Sequence, residues 1–426
     1  MRNLAYVFPG QGAQHVGMGR ALYDSCRETR DLFHDASRQL GFDLKEYCFD
    51  GTLRDMSLLE HALPAIYVIS IACFRAFHRD IGIRPQFVAG HSLGEYSALA
   101  CSGVITFQNG LELVMERSRL AMQLARQEDG YMTVIDGLAE TEVEQICQKV
   151  KAKTGGTVGI ACFNTDNQVA VSGYAPLLEQ VESMVMEQGA SVTPLFTGAP
   201  FHCAMMEPVA MEIRQRIRSI EFCRPKFPII MNTTALPAID GNTIAHLMEK
   251  QLVMPVQWSK TMQFLNQRVD QAVEMGTGRL LTELFGKSGL PVQCQSYASP
   301  SERENLLKAY KVLPGKAGVA GKGYTFNVVA GCLSIVATTR NDNMDPLAYE
   351  QGVSEPYKVL ATLLEAAEKA DCYPDREASL TALRCLDQIL ETKRVEPETK
   401  QRKIMSMLHA TGLEYLFPEY AERMLL

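Results

Sequence analysis

A serine set between glycines constrains the fold of this chain more than any other feature. The segment Gly90-His91-Ser92-Leu93-Gly94 follows the apolar run Phe87-Val88-Ala89 and precedes a helix-compatible stretch at residues 95–100. Glycines on either side let the backbone turn tightly from a strand into a helix, which leaves the serine hydroxyl exposed. The helix N-terminus adds N–H groups and a positive dipole that stabilise an oxyanion. The segment therefore predicts a nucleophile elbow and acyl transfer through a serine ester.

Strand and helix patterns divide the 426 residues into three regions. Residues 1–128 and 197–306 alternate short apolar strands with amphipathic helices, the pattern of an α/β domain, and the elbow makes this large subdomain α/β-hydrolase-like. Residues 129–196 show the order β-α-β-β-α-β, which predicts an inserted ferredoxin-like small subdomain. Residues 307–426 are predicted to be a linker and a mostly helical C-terminal extension.

Within the extension, a glycine-rich segment at residues 314–323 superficially resembles a phosphate loop, but it lacks the glycine spacing and the Ser or Thr that such a loop needs. We expect a linker there. A short apolar run at residues 328–337 follows, and then three stretches with helical spacing at residues 356–370, 376–393 and 397–416. These three stretches predict a small bundle or a cap packed on the main body.

Composition excludes several classes of protein. A net charge of -7 offers no electrostatic footprint for nucleic acid. The sequence has no run of about 20 uncharged apolar residues and no signal-peptide pattern at its start, so we expect no membrane contact and a cytoplasmic location. The 12 cysteines include no C-x-x-C pair, which favours reduced thiols in the core over disulfides or zinc.

Three further segments fit an acyl-transfer site. A glycine-rich turn at residues 9–12 closes the first predicted strand and can bring Gln11 beside the nucleophile. His202 lies on a loop where the α/β pattern resumes, and it is a candidate general base for Ser92. Arg117 and Arg119 offer fixed cations within an amphipathic helix.

Together these segments resemble the malonyl-CoA:acyl-carrier-protein transacylase family, which includes the acyltransferase domains of polyketide synthases. The resemblance covers about the first 300 residues and rests on several ordered motifs. They are FPGQGAQ at residues 8–14, GHSLGEYSALACSGVI at 90–105, QVAVSG at 168–173, APFH at 199–202, QLVMPVQW at 251–258 and EMGTG at 274–278.

The resemblance implies a role for each residue of the catalytic centre. Ser92 is the expected nucleophile and His202 its general base, in a dyad whose histidine is oriented by a backbone carbonyl. Gln251 matches the position beside that histidine. The backbone N–H groups of Gln11 and Leu93 are expected to form the oxyanion hole.

The resemblance also implies which residues bind the acyl group. Arg117 is the expected ligand of the malonyl carboxylate, because its planar fork donates two parallel charge-assisted hydrogen bonds. Arg119 is the alternative if the register differs by two residues. Phe201 matches a bulky residue of malonyl-selecting members, where a ring leaves little space for a 2-methyl branch; excluding one methyl is worth about 1–3 kcal/mol. His91 is expected either to help order the site or to be structural.

One departure from the family pattern bears on the substrate. The chain has Ala62-Leu63 where a Thr-Gln pair is usual, so we expect a polar side chain near the site to be missing. Thr277 also stands where the family usually has proline.

The resemblance implies an acyltransferase, an [acyl-carrier-protein] S-malonyltransferase that takes malonyl from malonyl-CoA and gives it to an acyl carrier protein. The coenzyme A thioester is then a substrate, and no metal or organic cofactor is implied. The extension, absent from housekeeping members, favours an enzyme acting in trans in polyketide biosynthesis. Three alternatives stay open: transfer of an aminomalonyl or hydroxymalonyl unit from a carrier, proofreading hydrolysis of stalled acyl groups, and a docking role for residues 310–426.

Overall fold

The computed structural model describes residues 3–195, 198–310 and 325–421. Apolar strands and helices at the start of the chain build the first segment of the large subdomain. Its elements are β1 (Leu4–Phe8), α1 (Arg20–Ser25), α2 (Arg27–Leu40), α3 (Leu44–Asp50), α4 (Leu53–Met56), α5 (Leu59–Asp80), β2 (Phe87–Gly90), α6 (Gly94–Cys101) and α7 (Phe107–Glu128).

The small subdomain follows as predicted. Its elements are β3 (Gly130–Asp136), α8 (Glu140–Thr154), β4 (Val158–Thr165), β5 (Gln168–Tyr174), α9 (Ala175–Met186) and β6 (Ser191–Leu195). The four strands form an antiparallel sheet in the order β4-β5-β3-β6, with its own hydrophobic core. This order confirms the ferredoxin-like prediction.

The chain then returns to the large subdomain. The elements are α10 (Glu207–Arg218), β7 (Ile229–Ile230), β8 (Pro237–Ala238), α11 (Gly241–Met248), α12 (Trp258–Asn266), β9 (Gln271–Glu274), α13 (Leu280–Ser288), β10 (Gln293–Ser296) and α14 (Pro300–Ala309). Helix α14 continues past the boundary expected at residue 306, because Leu306 is buried in the main core and Tyr310 packs against it.

A parallel sheet positions the elbow at the centre of the large subdomain. Its strand order is β10-β9-β1-β2-β7-β8, and only β8 is antiparallel to its neighbour. Strands β1 and β2 are buried along their whole length, as expected for parallel strands covered by helices on both faces. Their carboxyl ends lie side by side, so the turns that follow Phe8 and Gly90 meet at one edge of the sheet.

One long apolar helix belongs to this core. Within the described residues, α5 is long and apolar enough to cross a membrane, and 78% of its apolar window is buried inside the protein. It packs against α6 and α7. That burial is typical of a core helix.

The extension forms a helical bundle with a separate core. Its elements are α15 (Val328–Thr338), α16 (Pro346–Tyr349), a π-helical turn (Glu350–Ser354), α17 (Glu355–Ala370), α18 (Arg376–Thr392), α19 (Pro397–Thr411) and α20 (Pro418–Ala421). The apolar run at residues 328–337 is therefore a further helix of the bundle. Its nearly uniform apolarity carries no helical period, so the sequence could not show this. The linker predicted at residues 314–323 lies outside the described residues.

The extension packs at the end of the sheet opposite to Ser92. The carboxylate of Asp371 pairs with Arg84 at 2.6 Å and with Lys226 at 2.7 Å. Gln86 exchanges side-chain hydrogen bonds with the backbone of Phe326. Residues 84–86 and 226 precede β2 and β7, so these contacts lie at the amino ends of the strands, whereas Ser92 follows the carboxyl end of β2.

Candidate active site

Ser92 lies on the tight turn between β2 and α6. Its φ of 52° is positive, which is unusual for a residue with a side chain. The turn has no room for side chains on its glycines: a Cβ on Gly94 would lie 1.9 Å from the carbonyl oxygen of Phe8, and one on Gly90 would lie 2.0 Å from the backbone of Gly94. The segment thus has the geometry of the predicted elbow.

Ser92 and His202 are in hydrogen-bond contact. The Oγ of Ser92 lies 2.6 Å from Nε2 of His202, and Nδ1 of His202 lies 2.8 Å from the backbone oxygen of Gln251. Since a carbonyl only accepts, Nδ1 carries the proton, and Nε2 is free to accept from the serine hydroxyl. Burial, together with the positive charge of Arg117, lowers the pKa of His202 to about 3. The imidazole is therefore neutral at physiological pH, as a base must be.

The turn that follows β1 lies directly against the elbow. A Cβ on Gly10 would lie 2.5 Å from the carbonyl oxygen of His91. Among the described residues, the backbone N–H groups of Gln11 and Leu93 donate to no protein acceptor. Gln11 lines the same cavity as Ser92, and Leu93 caps the start of α6. Two free N–H groups next to a nucleophile match the requirement for an oxyanion hole.

Arg117 and Arg119 have opposite surroundings. The side chain of Arg119 is exposed and pairs with Glu116 at 2.7 Å. Arg117 is 1% exposed, and its guanidinium is stacked against the rings of Tyr96 at 5.2 Å and Phe201 at 4.7 Å. Within the described part of the chain, its Nε and Nη1 have no hydrogen-bond partner.

An unpaired buried cation is unfavourable, and burial accordingly lowers the pKa of Arg117. Such a group is suited to an anion that arrives with the substrate. Arg117 is buried in this structure, and Phe201, whose ring contacts its guanidinium, lines the cavity above the serine.

A cavity of about 520 Å³ opens above the serine. Its size is within the usual range for small-molecule sites. Its lining combines polar residues with apolar side chains of α4, α13 and the sheet of the small subdomain. Among the predicted site residues, those that line it are Gln11, His91, Ser92, Phe201 and His202. Leu63, in contrast, is buried and is not among the residues that line this cavity.

His91 connects the elbow to the small subdomain. Its Nε2 lies 2.8 Å from Oδ1 of Asn164 on β4, and the amide nitrogen of Asn164 donates to Gln168 on β5. The ring of His91 also packs edge-on against Trp258, with 5.4 Å between the centroids. Burial lowers the pKa of His91. These contacts fix the wall of the cavity beside Ser92.

The contacts that Asn232 and Gln251 make with the serine were not predicted from the sequence. Oδ1 of Asn232 accepts the backbone N–H of Ser92 at 2.8 Å, and Nε2 of Gln251 donates to the backbone oxygen of Ser92 at 2.7 Å. The backbone N–H of Asn232 donates to the buried carboxylate of Glu95 at 2.7 Å. Burial raises the pKa of Glu95 to about 7. The one feature of the sequence that could have indicated Asn232 is its position, as a polar residue directly after the apolar run that contains β7.

No group of three or more His, Cys, Asp or Glu side chains among the described residues is arranged to hold a metal ion. All twelve cysteines lie in described ranges and are free thiols. The chemistry available at the site is thus a serine hydroxyl, a neutral imidazole, two free N–H groups and a buried guanidinium.

Comparisons with known proteins extend these observations. Residues 5–282 match the family model described as acyl transferase domain. A malonyl CoA-acyl carrier protein transacylase of Bacillus subtilis is 30% identical over 406 residues, which cover 95% of this chain and 100% of that relative. The alignment therefore includes most of the extension. The protein of the same name from Escherichia coli strain K12 is 33% identical over 286 residues, 67% of this chain and 92% of its own.

Solved structures show the same similarity for the body of the chain. FabD from Acinetobacter baumannii has a TM-score of 0.69 at 34% identity and covers 73% of this chain and 99% of its own. A malonyl-transacylase solved in complex with a type II PKS acyl-carrier protein has a TM-score of 0.69 at 32% identity, covering 72% of this chain and 99% of its own.

Proposed function

The chain belongs to the malonyl-CoA:acyl-carrier-protein transacylase family of acyltransferases, and on this premise we propose that it moves malonyl from malonyl-CoA to the phosphopantetheine thiol of an acyl carrier protein through an ester on Ser92. The observation that carries the proposal is the 2.6 Å contact between Ser92 Oγ and the neutral imidazole of His202. The unpaired guanidinium of Arg117 supports a carboxylated acyl group.

The first half-reaction loads the enzyme. His202 Nε2 takes the hydroxyl proton of Ser92 while Oγ attacks the thioester carbonyl. The N–H groups of Gln11 and Leu93 stabilise the resulting oxyanion. When the C–S bond breaks, the proton on His202 passes to the departing coenzyme A sulfur, which leaves a malonyl ester on Ser92.

The second half-reaction reverses these steps with a different thiol. The carrier thiol gives its proton to His202, its sulfur attacks the ester carbonyl, and the C–O bond to Ser92 breaks as Oγ recovers the proton. A thioester is consumed and a thioester is formed, so the overall exchange needs no external energy source. The mechanism is ping-pong, because the first thiol leaves before the second one reacts.

Arg117 also affects the base. Its charge is one of the causes that lower the pKa of His202. A malonyl carboxylate paired with Arg117 compensates that charge, so the imidazole becomes more basic when the correct substrate is bound. Carboxylate binding thus favours both selection and proton transfer.

The alternatives receive less support. A hydrolase for uncharged acyl groups has no use for a buried, unpaired Arg117. The change at Leu63 left room for a substituted malonyl unit, but Leu63 is not among the residues that line the cavity. None of the described residues of the extension lines the cavity, so a direct role for that part of the chain in acyl binding is disfavoured.

We further propose that the enzyme acts in trans in polyketide biosynthesis, in the cytoplasm. The extension supports this proposal. The Bacillus subtilis relative aligns over 95% of this chain and thus over most of the extension, whereas the Escherichia coli relative aligns over only 67% of this chain. A loading assay with carrier domains of a polyketide synthase beside a fatty-acid-type carrier protein tests this part. Faster loading of the polyketide carriers supports the proposal, and exclusive loading of the fatty-acid carrier contradicts it.

The acyl-enzyme is tested by intact-protein mass spectrometry after incubation with malonyl-, methylmalonyl- or acetyl-coenzyme A, in parallel with Ser92→Ala. We expect a malonyl adduct on the wild type alone and little adduct from the other two donors. Rapid hydrolysis of acetyl-coenzyme A without a malonyl adduct would instead indicate the hydrolase.

A further inference from the structure

The side-chain amide of Asn232 bridges two peptide groups of the elbow, and we propose that Asn232 is a positioning residue that holds Ser92 in its reactive conformation. The inference rests on the proposed function, in which Ser92 is the nucleophile. It concerns a residue that contacts neither the acyl group nor the imidazole of His202.

Asn232 continues the hydrogen-bond ladder between β2 and β7. The two strands pair in parallel at Val88↔Ile229 and Ala89↔Ile230, and β7 then ends while β2 enters the elbow. Two residues beyond β7, the amide nitrogen of Asn232 donates to the carbonyl of Gly90, and its Oδ1 accepts from the N–H of Ser92. A carboxamide has one donor side and one acceptor side, as a peptide group has, so it replaces the missing partner from β7.

The bridge stabilises a strained residue. A positive φ costs a non-glycine residue about 1–2 kcal/mol, and it persists only where the surroundings determine it. Asn232 holds the N–H of Ser92, and Gln251 holds its carbonyl oxygen. The peptide groups on both sides of Ser92 are therefore fixed.

Fixing these peptides also orients the oxyanion hole. The carbonyl of Ser92 and the N–H of Leu93 belong to one planar trans peptide, so they point in opposite directions. When Gln251 binds the carbonyl, the N–H of Leu93 must point away from Gln251. The N–H of Ser92 donates to Asn232 and is therefore not available to the oxyanion. The backbone N–H groups of Leu93 and Gln11 remain to stabilise it.

Asn232 is itself immobilised. It is 3% exposed, its backbone N–H donates to Glu95, and its backbone oxygen accepts from the N–H of Gln257 at 2.8 Å. All four of its polar groups are thus engaged. The next residue, Thr233, offers a contrast, because its hydroxyl is buried without a partner among the described residues.

Thr233→Val is therefore a matched control for disturbance of this loop. The test compares it with Asn232→Ala and with Asn232→Asp, which keeps an acceptor but has no donor for the Gly90 carbonyl until it is protonated. Two rates are measured for each protein: single-turnover malonylation of Ser92 by malonyl-CoA, and phosphonylation of Ser92 by an alkyl fluorophosphonate, which requires no malonyl site. Thermal unfolding and the KM for malonyl-CoA complete the set.

We expect both rates to be about 10- to 100-fold lower in Asn232→Ala, because a small misplacement of a nucleophile slows its reaction by about this factor. The KM for malonyl-CoA should change by less than about twofold. Thr233→Val should match the wild type. Asn232→Asp should recover part of the rate as the pH falls, because the protonated carboxyl again donates to Gly90. If Asn232→Ala does not fold, this pH-dependent recovery is the deciding measurement.

Wild-type rates in Asn232→Ala, an equal loss in Thr233→Val, or a pH-independent Asn232→Asp would overturn the positioning role. A wild type that reacts with the fluorophosphonate but not with malonyl-CoA would refute the proposed function. In that case the fluorophosphonate rates still decide the role of Asn232.

Discussion

Replacing Arg117 by methionine should weaken malonyl selection and at the same time stabilise the fold. Arg117 is 1% exposed, and within the described residues two nitrogens of its guanidinium have no hydrogen-bond partner. Methionine has a similar length and no polar donors, so it can fill the space between Tyr96 and Phe201. The two effects have opposite signs because Nε and Nη1 of Arg117 lack hydrogen-bond partners among the described residues and gain one when the substrate carboxylate binds.

The magnitudes follow from these contacts. Breaking a buried, charge-assisted pair costs about 3–5 kcal/mol, which corresponds to a loss of about 10²- to 10⁴-fold in kcat/KM for malonyl-CoA. In the free enzyme, each unsatisfied buried donor costs about 1–3 kcal/mol, whereas the stacking of the cation on two rings returns about 0.5–2 kcal/mol per ring. We therefore expect the free energy of unfolding of Arg117→Met to stay level or to rise by about 1–2 kcal/mol.

The assay measures malonyl and acetyl transfer and denaturant unfolding for Arg117→Met, with Arg119→Met as the matched control. Arg119 is an exposed arginine on the same helix, so its substitution should alter neither property. An Arg117→Met enzyme that still prefers malonyl over acetyl would refute the assignment of Arg117. A marked loss of stability would refute the claim that its cation is unpaired in the free enzyme.

Four further predictions concern His202, Phe201 and Asp371. Because the pKa of His202 is lowered to about 3, kcat/KM for malonyl-CoA should stay level from about pH 8 to about pH 5. With a histidine of ordinary pKa as the base, kcat/KM would fall about 30-fold by pH 5. A fall in kcat/KM with an apparent pKa near 6.5 would contradict the prediction. Between pH 6.5 and pH 3, His202 is protonated in the unfolded state but neutral in the folded state. The free energy of unfolding should therefore fall by up to about 1.4 kcal/mol per pH unit as the pH falls through this range. In His202→Asn, the decrease in the free energy of unfolding with falling pH should be smaller. Phe201→Ala should lose about 1–3 kcal/mol of discrimination between malonyl- and methylmalonyl-coenzyme A in a competition assay, and unchanged discrimination would exclude the ring as the selector. Asp371→Asn removes two half-exposed ion pairs and should lower the free energy of unfolding in urea by about 1 kcal/mol or less, with a larger effect at low salt. The rate of Ser92 acylation should not change. A slower acylation would show that the extension influences the site.

The sequence predicted those parts of the fold whose signal is local. The strands and helices of the small subdomain alternate with clear periods and turn residues, and their topology is as expected. The elbow was equally predictable, because its glycines are required by contacts within a few residues of Ser92 and with the end of β1. Helix α15 was missed because a short, uniformly apolar run has no period to distinguish helix from strand.

The contacts of the site depend on tertiary structure and were less predictable. The choice of Arg117 over Arg119 came from a family resemblance, and the difference in burial that separates them is visible only in the fold. Asn232 was not predicted, because its function depends on where β7 ends relative to β2. The effect of Leu63 on the choice of substrate stays a prediction, since the side chain is buried and is not among the residues that line the cavity.

The central claim is that Ser92 carries malonyl between two thiols. The most direct test isolates the malonyl-enzyme, removes all malonyl-CoA, and adds a carrier protein bearing phosphopantetheine while the masses of both proteins are followed. We predict that malonyl leaves Ser92 and appears on the carrier in equal amount, with His202→Asn much slower. Release of free malonate without loading of the carrier, or transfer that requires malonyl-CoA to be present throughout, would contradict the account.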